Sequence, residues 1–180
     1  MKTDEQFDKE IANCRDIFVK KTCDYGTAWR IMRPSSVTDQ IYIKANRIRG
    51  LEVNNQAMID EGPRPEYIGL INYSVMGLIQ LEKGFSDTAD MDATTAENLY
   101  DSFLRQAKDL MIRKNHDYGE AWRMMRIQSI TDLILMKIYR IKQIEDNGGK
   151  TTVSEGISSG YFDIINYAVF ALIKLTEKGQ

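Results

Sequence analysis

Apolar residues recur at helical spacing along most of the chain. Phe7, Ile11, Cys14 and Phe18 follow at intervals of four, three and four, the stripe of an amphipathic first helix, and Phe103, Ala107, Leu110 and Met111 repeat it. Two later stretches, Tyr67 to Leu81 and Tyr161 to Leu175, are apolar nearly all round, which predicts helices at the centre of the molecule. The DYG triplets ending at Gly26 and Gly119 place glycine where the preceding helices should stop. The next helix is expected to open near Ser36 and Ser129, because both read S-x-T-D. A hydroxyl followed three residues later by an acid, here Asp39 or Asp132, is a capping-box pattern. Nothing predicts a strand: the β-branched residues fall at helical spacing, and no hairpin signal lies between alternating runs. The expected fold is all-α, with roughly three helices in each half.

The two halves are copies. Cys14 to Glu52 returns 93 residues later as Ala107 to Glu145, and about 18 of roughly 39 aligned positions are identical. After one inserted residue the match resumes, Tyr67 to Leu81 against Tyr161 to Leu175. Gly84 to Thr95 reads as a connector, rich in Gly, Ser, Thr and Asp and without apolar periodicity. The expected layout is a first repeat over 1–83, a connector over 84–95 and a second repeat over 96–180. A unit of about 75 residues buries little surface alone, so the repeats should form one compact domain. They should pack as a pseudo-twofold pair, the intrachain equivalent of a homodimer.

Composition narrows the function. Among 180 residues, 24 Lys and Arg face 26 Asp and Glu, a net charge of −2 that gives no reason to expect nonspecific nucleic-acid binding. With 43% hydrophobic and 28% charged residues the chain is globular rather than disordered. Cys14, Cys23 and the single His116 supply neither a structural zinc site nor a disulfide framework, and a Ser-His-Asp enzyme would hang on His116 alone. The N-terminus lacks an apolar leader and the longest apolar stretch, Ile164 to Leu175, contains a lysine and is too short for a membrane span, so a cytoplasmic location is expected.

Four groups of polar residues are candidates for chemistry. The first is the DYG triplet with the following AWR-x-MR: Asp24, Tyr25, Trp29, Arg30 and Arg33, matched by Asp117, Tyr118, Trp122, Arg123 and Arg126. Guanidinium forks suit phosphate and aromatic rings stack on bases; the plainer alternative is a helix stop with an aromatic plug. The second is Asp39, Lys44 and Arg47, with Asp132, Lys137 and Arg140, spread over an arc of roughly 140° and able to face one pocket. The third is Asn72 and Asn166, which as buried amides need partners that Arg47 or Arg140 would supply, or else serve a ligand. The fourth breaks the symmetry: Glu155 and Asp163 correspond to Glu61 and Gly69, so a carboxylate stands three residues before Asn166 in one copy only. Mg²⁺ takes one or two carboxylates plus water and phosphates, so Glu155 and Asp163 would suffice for it; an ion pair from Asp163 to Arg140 is the structural alternative.

The order DYG, then D-x(4)-K-x(2)-R, then an acid-led stretch ending in D-x-x-N-Y resembles the nucleotide-modification-associated domain family, formerly a domain of unknown function. With KNHDYGEAWRMMR, TDLILMKIYRIKQIED and INYAVF, the chain resembles the duplicated bacterial members over nearly its whole length. More distantly the pattern is similar to the all-α nucleoside triphosphate pyrophosphohydrolases of the MazG and dimeric dUTPase type, helical dimers that bind Mg²⁺ through acids on two adjacent helices. That resemblance implies a Mg²⁺-dependent pyrophosphohydrolase of a nucleoside triphosphate. Glu155 and Asp163 would hold the metal, with Asp132 as the helix-two acid. Lys137 and Arg140 would stabilise the transferring group, and Tyr118 or Trp122 would stack on the base.

The departures are specific. The E-E-x-x-E cluster of MazG proteins is absent, Ser158 and Ser159 stand where many phage members carry acids, and Gly69 removes the first copy's counterpart of Asp163. A four-carboxylate cage and two equivalent active sites are therefore not expected. The competing expectation is a noncatalytic nucleotide-binding or assembly module with a degenerate metal site. Either reading implies a nucleotide partner, no membrane and little nucleic-acid binding, and leaves further homo-oligomerisation open.

Overall fold

The computed structural model describes residues 2–54 and 62–179, so Glu61 lies outside the described residues. Six α-helices account for most of them, with no strand among the described residues. They are α1 (Thr3–Tyr25), α2 (Pro34–Asn54), α3 (Arg64–Lys83), α4 (Ala93–Tyr118), α5 (Ile127–Asp146) and α6 (Ile157–Glu177). One-turn 3-10 helices, Ala28–Ile31 and Ala121–Met124, follow α1 and α4. The first stripe is buried as its spacing predicts, with Phe7, Cys14 and Phe18 on α1 and Phe103, Ala107 and Met111 on α4 all inward. Both helices end where glycine takes a left-handed backbone, Gly26 at φ 67° and Gly119 at φ 59°.

Two boundaries differ from expectation. Helices α2 and α5 begin at Pro34 and Ile127, so Ser36 and Ser129 already sit inside the first turn and S-x-T-D is not a cap. Proline at the first helical position explains the earlier start of α2, since its fixed φ and missing N–H cost nothing there. The connector is also shorter than its composition suggests. Helix α4 opens at Ala93, capped by Asp92, whose carboxylate accepts the Thr95 N–H at 2.8 Å.

The two nearly all-apolar helices, α3 and α6, pair at the centre; α2 lies on α3, α5 on α6, and α2 meets α5 across the repeat boundary. Helices α1 and α4 cross the opposite side of α3 and α6. Close approach at the centre depends on Gly77, where a Cβ would stand 2.9 Å from the Tyr161 ring. The threonines of S-x-T-D bind across the boundary instead of capping. Thr38 pairs with the Tyr161 hydroxyl at 2.6 Å and donates to Glu145 at 3.0 Å, and Thr131 pairs with Tyr67 at 2.8 Å and donates to Glu52 at 2.7 Å. Each triad joins one repeat to the other with the roles exchanged, as a pseudo-twofold pair requires. Among the described residues no helix is long and apolar enough to cross a membrane.

Candidate functional site

A cavity of about 440 Å³ opens in the first repeat, between the end of α1, the Ala28–Ile31 turn, α2 and α3. Lys21 and Tyr25 reach it from α1, Trp29 from the turn, Lys44 and Arg47 from α2, and Glu66, Gly69 and Tyr73 from α3. Lys44 and Arg47 share a face because they are three residues apart on one helix. Glu66, only 4% exposed, accepts from Arg47 at 2.5 Å and lies 3.4 Å from the Lys44 ammonium. Lys21 pairs with no acid among the described residues. Three cations thus face one carboxylate. Gly69 lets the Lys44 stem lie directly across α3, its Cδ 2.8 Å from where a Cβ would stand. The Trp29 indole N–H is buried without an acceptor, as is that of its counterpart Trp122.

The second repeat has the opposite arrangement. Asp163 stands at the position of Gly69, 8% exposed, and its two oxygens accept from Lys114 and Lys137 at 2.7 Å each. Burial pushes the Asp163 carboxyl up, but the two ammoniums outweigh it and hold the group below the ordinary carboxylate range. Arg140 is exposed and is not the partner expected for Asp163. Phe162 and Phe170 replace Ile68 and Met76 of the first repeat, and Phe170 stacks on Trp122 at 4.2 Å.

Of the aromatic and arginine residues expected to hold a ligand in this repeat, Trp122 and Arg123 are engaged by neighbouring side chains. Arg123 lies over the Trp122 ring at 4.4 Å and bonds Glu120 and Glu177 at 3.1 and 3.2 Å. Tyr118 is 75% exposed, and Asp117 pairs with exposed His116 at 3.2 Å. In the first repeat Arg30 is likewise buried, tied to Asp90 at 3.0 Å and the Gly84 carbonyl at 2.7 Å, whereas Arg33 and Arg126 are exposed.

The helix-two acids leave the cavity altogether. Asp39 pairs with Lys142 at 3.1 Å and Asp132 with Arg49, exposed ion pairs across the α2–α5 boundary. The arc that placed Asp39 with Lys44 and Arg47, and Asp132 with Lys137 and Arg140, therefore brings only the cations to the helix-three side. The asparagines do not bind Arg47 or Arg140. Asn72 donates to the Cys14 carbonyl at 3.1 Å and accepts the Tyr100 hydroxyl at 2.7 Å. Asn166 donates to the Ala107 carbonyl at 3.1 Å, and its oxygen lacks a partner because Phe7 occupies the place of Tyr100 in the repeat alignment. Both are ties between helices.

A divalent cation does not fit these donors. The buried carboxylates of Glu66 and Asp163 are each shared by two cationic side chains, and Glu155 is exposed and accepts from Ser159. Among the described residues no group of three or more His, Cys, Asp or Glu gathers to hold a metal.

Three site residues escape a reading of the conspicuous motifs. Lys21 and Lys114 both occur as K-x-x-D-Y-G, a recurrence that does mark them. Glu66 is visible only when α3 and α6 are aligned. The first repeat then reads E-x-x-G (Glu66, Gly69) where the second reads G-x-x-D (Gly160, Asp163), so the acid has moved one helical turn.

The fold and its cavity define a class, an all-helical tandem repeat with a cation-lined pocket in its first repeat. The model of nucleotide modification associated domain 1 matches residues 21–81 and again 114–175, so the chain belongs to that family and carries its domain twice. Each match opens on one of the two site lysines, Lys21 or Lys114. No curated protein and no solved structure matches the chain.

Proposed function

We propose that this protein binds a nucleotide in the first-repeat cavity. Lys21, Lys44 and Arg47 meet its phosphates, and Tyr25, Tyr73 and Trp29 border the base. The observation that carries this reading is the 440 Å³ cavity with three cations against Glu66 alone, of a size that suits a small ligand and a charge that selects an anion. The name of the family agrees with a nucleotide-related role. Binding without a carboxylate metal cage is favoured over Mg²⁺-dependent pyrophosphohydrolysis, because Glu66 and Asp163 already carry their counter-charges. Mg²⁺ in this reading arrives on the ligand's phosphates.

Thermal unfolding against nucleoside mono-, di- and triphosphates, with and without Mg²⁺, tests the proposal. A ligand at 100 times its Kd adds about 2.7 kcal/mol, a rise in Tm of roughly 5 to 10 °C for a chain of this size. The expected result is a rise with phosphorylated nucleosides that Lys44→Met diminishes. No rise with any nucleotide overturns the proposal. Mg²⁺-dependent pyrophosphate release abolished by Asp163→Asn would return the assignment to the hydrolase.

A further inference from the structure

Aligning the repeats gives the cavity an internal comparison. In the second repeat, Lys114 and Lys137 grip a carboxylate that the chain itself supplies, Asp163, at 2.7 Å on each side. Their counterparts Lys21 and Lys44 border the first-repeat cavity, where position 69 is glycine and no chain carboxylate stands between them. Glu66 does not fill that gap. It comes from one turn earlier on α3 and meets Lys44 and Arg47, with Lys21 left unpaired among the described residues. A pair of ammoniums that converges on an anion in one copy is short of one in the other.

We infer that Asp163 is a built-in substitute for the ligand's phosphate, so that the anion position of the second repeat is permanently filled and the chain binds one anionic ligand, its terminal phosphate lodged between Lys21 and Lys44. The inference rests on the cavity being the nucleotide site and deepens it by placing the phosphate and fixing the stoichiometry. The second repeat is narrowed elsewhere too, and beside Lys137, Arg140 and Gly160 it keeps a pocket of only about 130 Å³. Phe162 and Phe170 are bulkier than Ile68 and Met76, and the stacked Trp122–Phe170 pair occupies ring surface that the first repeat leaves along its cavity. Opening the anion position alone should therefore admit a bare phosphate group there.

The experiment is calorimetric titration of the full chain with inorganic pyrophosphate, on wild type, Gly69→Asp, Asp163→Gly and Asp163→Ala, each checked for native helicity and melting. Wild type should take one pyrophosphate per chain. Gly69→Asp should weaken this by at least about tenfold, since an internal carboxylate now competes for Lys21 and Lys44. Asp163→Gly should take two per chain; should that variant fail to fold, Asp163→Ala, which keeps helix propensity and still empties the position, carries the same expectation. Unchanged affinity in Gly69→Asp, or one site in a folded Asp163 variant, overturns the inference. Failure of the two proposals is distinguishable. Nucleotide-induced stabilisation that survives Gly69→Asp leaves nucleotide binding standing and removes the phosphate placement. Pyrophosphate binding with no stabilisation by any nucleotide does the reverse.

Discussion

A buried carboxylate needs counter-charge, and Asp163 receives it from two lysines that are themselves partly in water. Its folded pKa lies below the ordinary value of 3.8, so the ion pairs stabilise the fold fully above that pH and are lost as pH falls through the depressed value. Asp163→Asn should cost about 1–3 kcal/mol at neutral pH and remove this part of the acid-side loss. Urea unfolding of both proteins from pH 7 downward checks it; an unchanged acid slope in the variant would show that the loss arises elsewhere. The two cysteines give a second contrast between single residues. Burial pushes the Cys14 thiol up to about 12, whereas Cys23 is exposed. A thiol reagent should modify one cysteine in the native protein and both in denaturant, and rapid native modification of two would contradict the burial.

At the scale of the helix, apolar spacing and the glycines at 26 and 119 foretold α1 and α4, and sequence apolar nearly all round foretold α3 and α6. The starts of α2 and α5 were not legible in the same way. S-x-T-D has the form of a cap, and only packing shows that Thr38 and Thr131 serve the opposite repeat. The cavity was half legible: Lys44 and Arg47 stand out as recurring cations, but Lys21 lies outside the conspicuous motif, and the exchange of Glu66 for Asp163 is masked by the glycines at 69 and 160. The cross-repeat triads are open to test. Tyr161→Phe deletes one hydroxyl that bridges α6 to α2 and should cost about 1 kcal/mol in urea unfolding. Burial raises the Glu145 carboxyl above its ordinary value of 4.5, so the fold favours its neutral form: that contribution is present at acid pH and lost as pH rises past 4.5. Glu145→Gln should consequently melt no lower than wild type at pH 7 while flattening the fall in stability above pH 4.5. A markedly lower Tm would mean that the charge itself is required.

For the whole molecule the question is whether two repeats make two folding units or one. We propose one, because each repeat completes its core with the other's side chains. Tyr67 and Tyr161 are wholly buried beneath threonines of the opposite repeat, α3 and α6 make the most extensive helix pairing, and Tyr161 packs on Gly77. Separating the halves would expose the apolar sides of α3 and α6 together, a loss that a unit of about 75 residues cannot offset. The full chain should therefore unfold in a single transition, with helicity and tryptophan fluorescence coincident in urea. Cut within residues 84–92, each half alone should show reduced helicity and no sharp melting. Equimolar mixing should restore both in a concentration-dependent way, since the repeat interface then forms between separate chains. A half that melts cooperatively alone near the temperature of the intact chain would show that the repeats are independent domains, and the shared core would have to be abandoned.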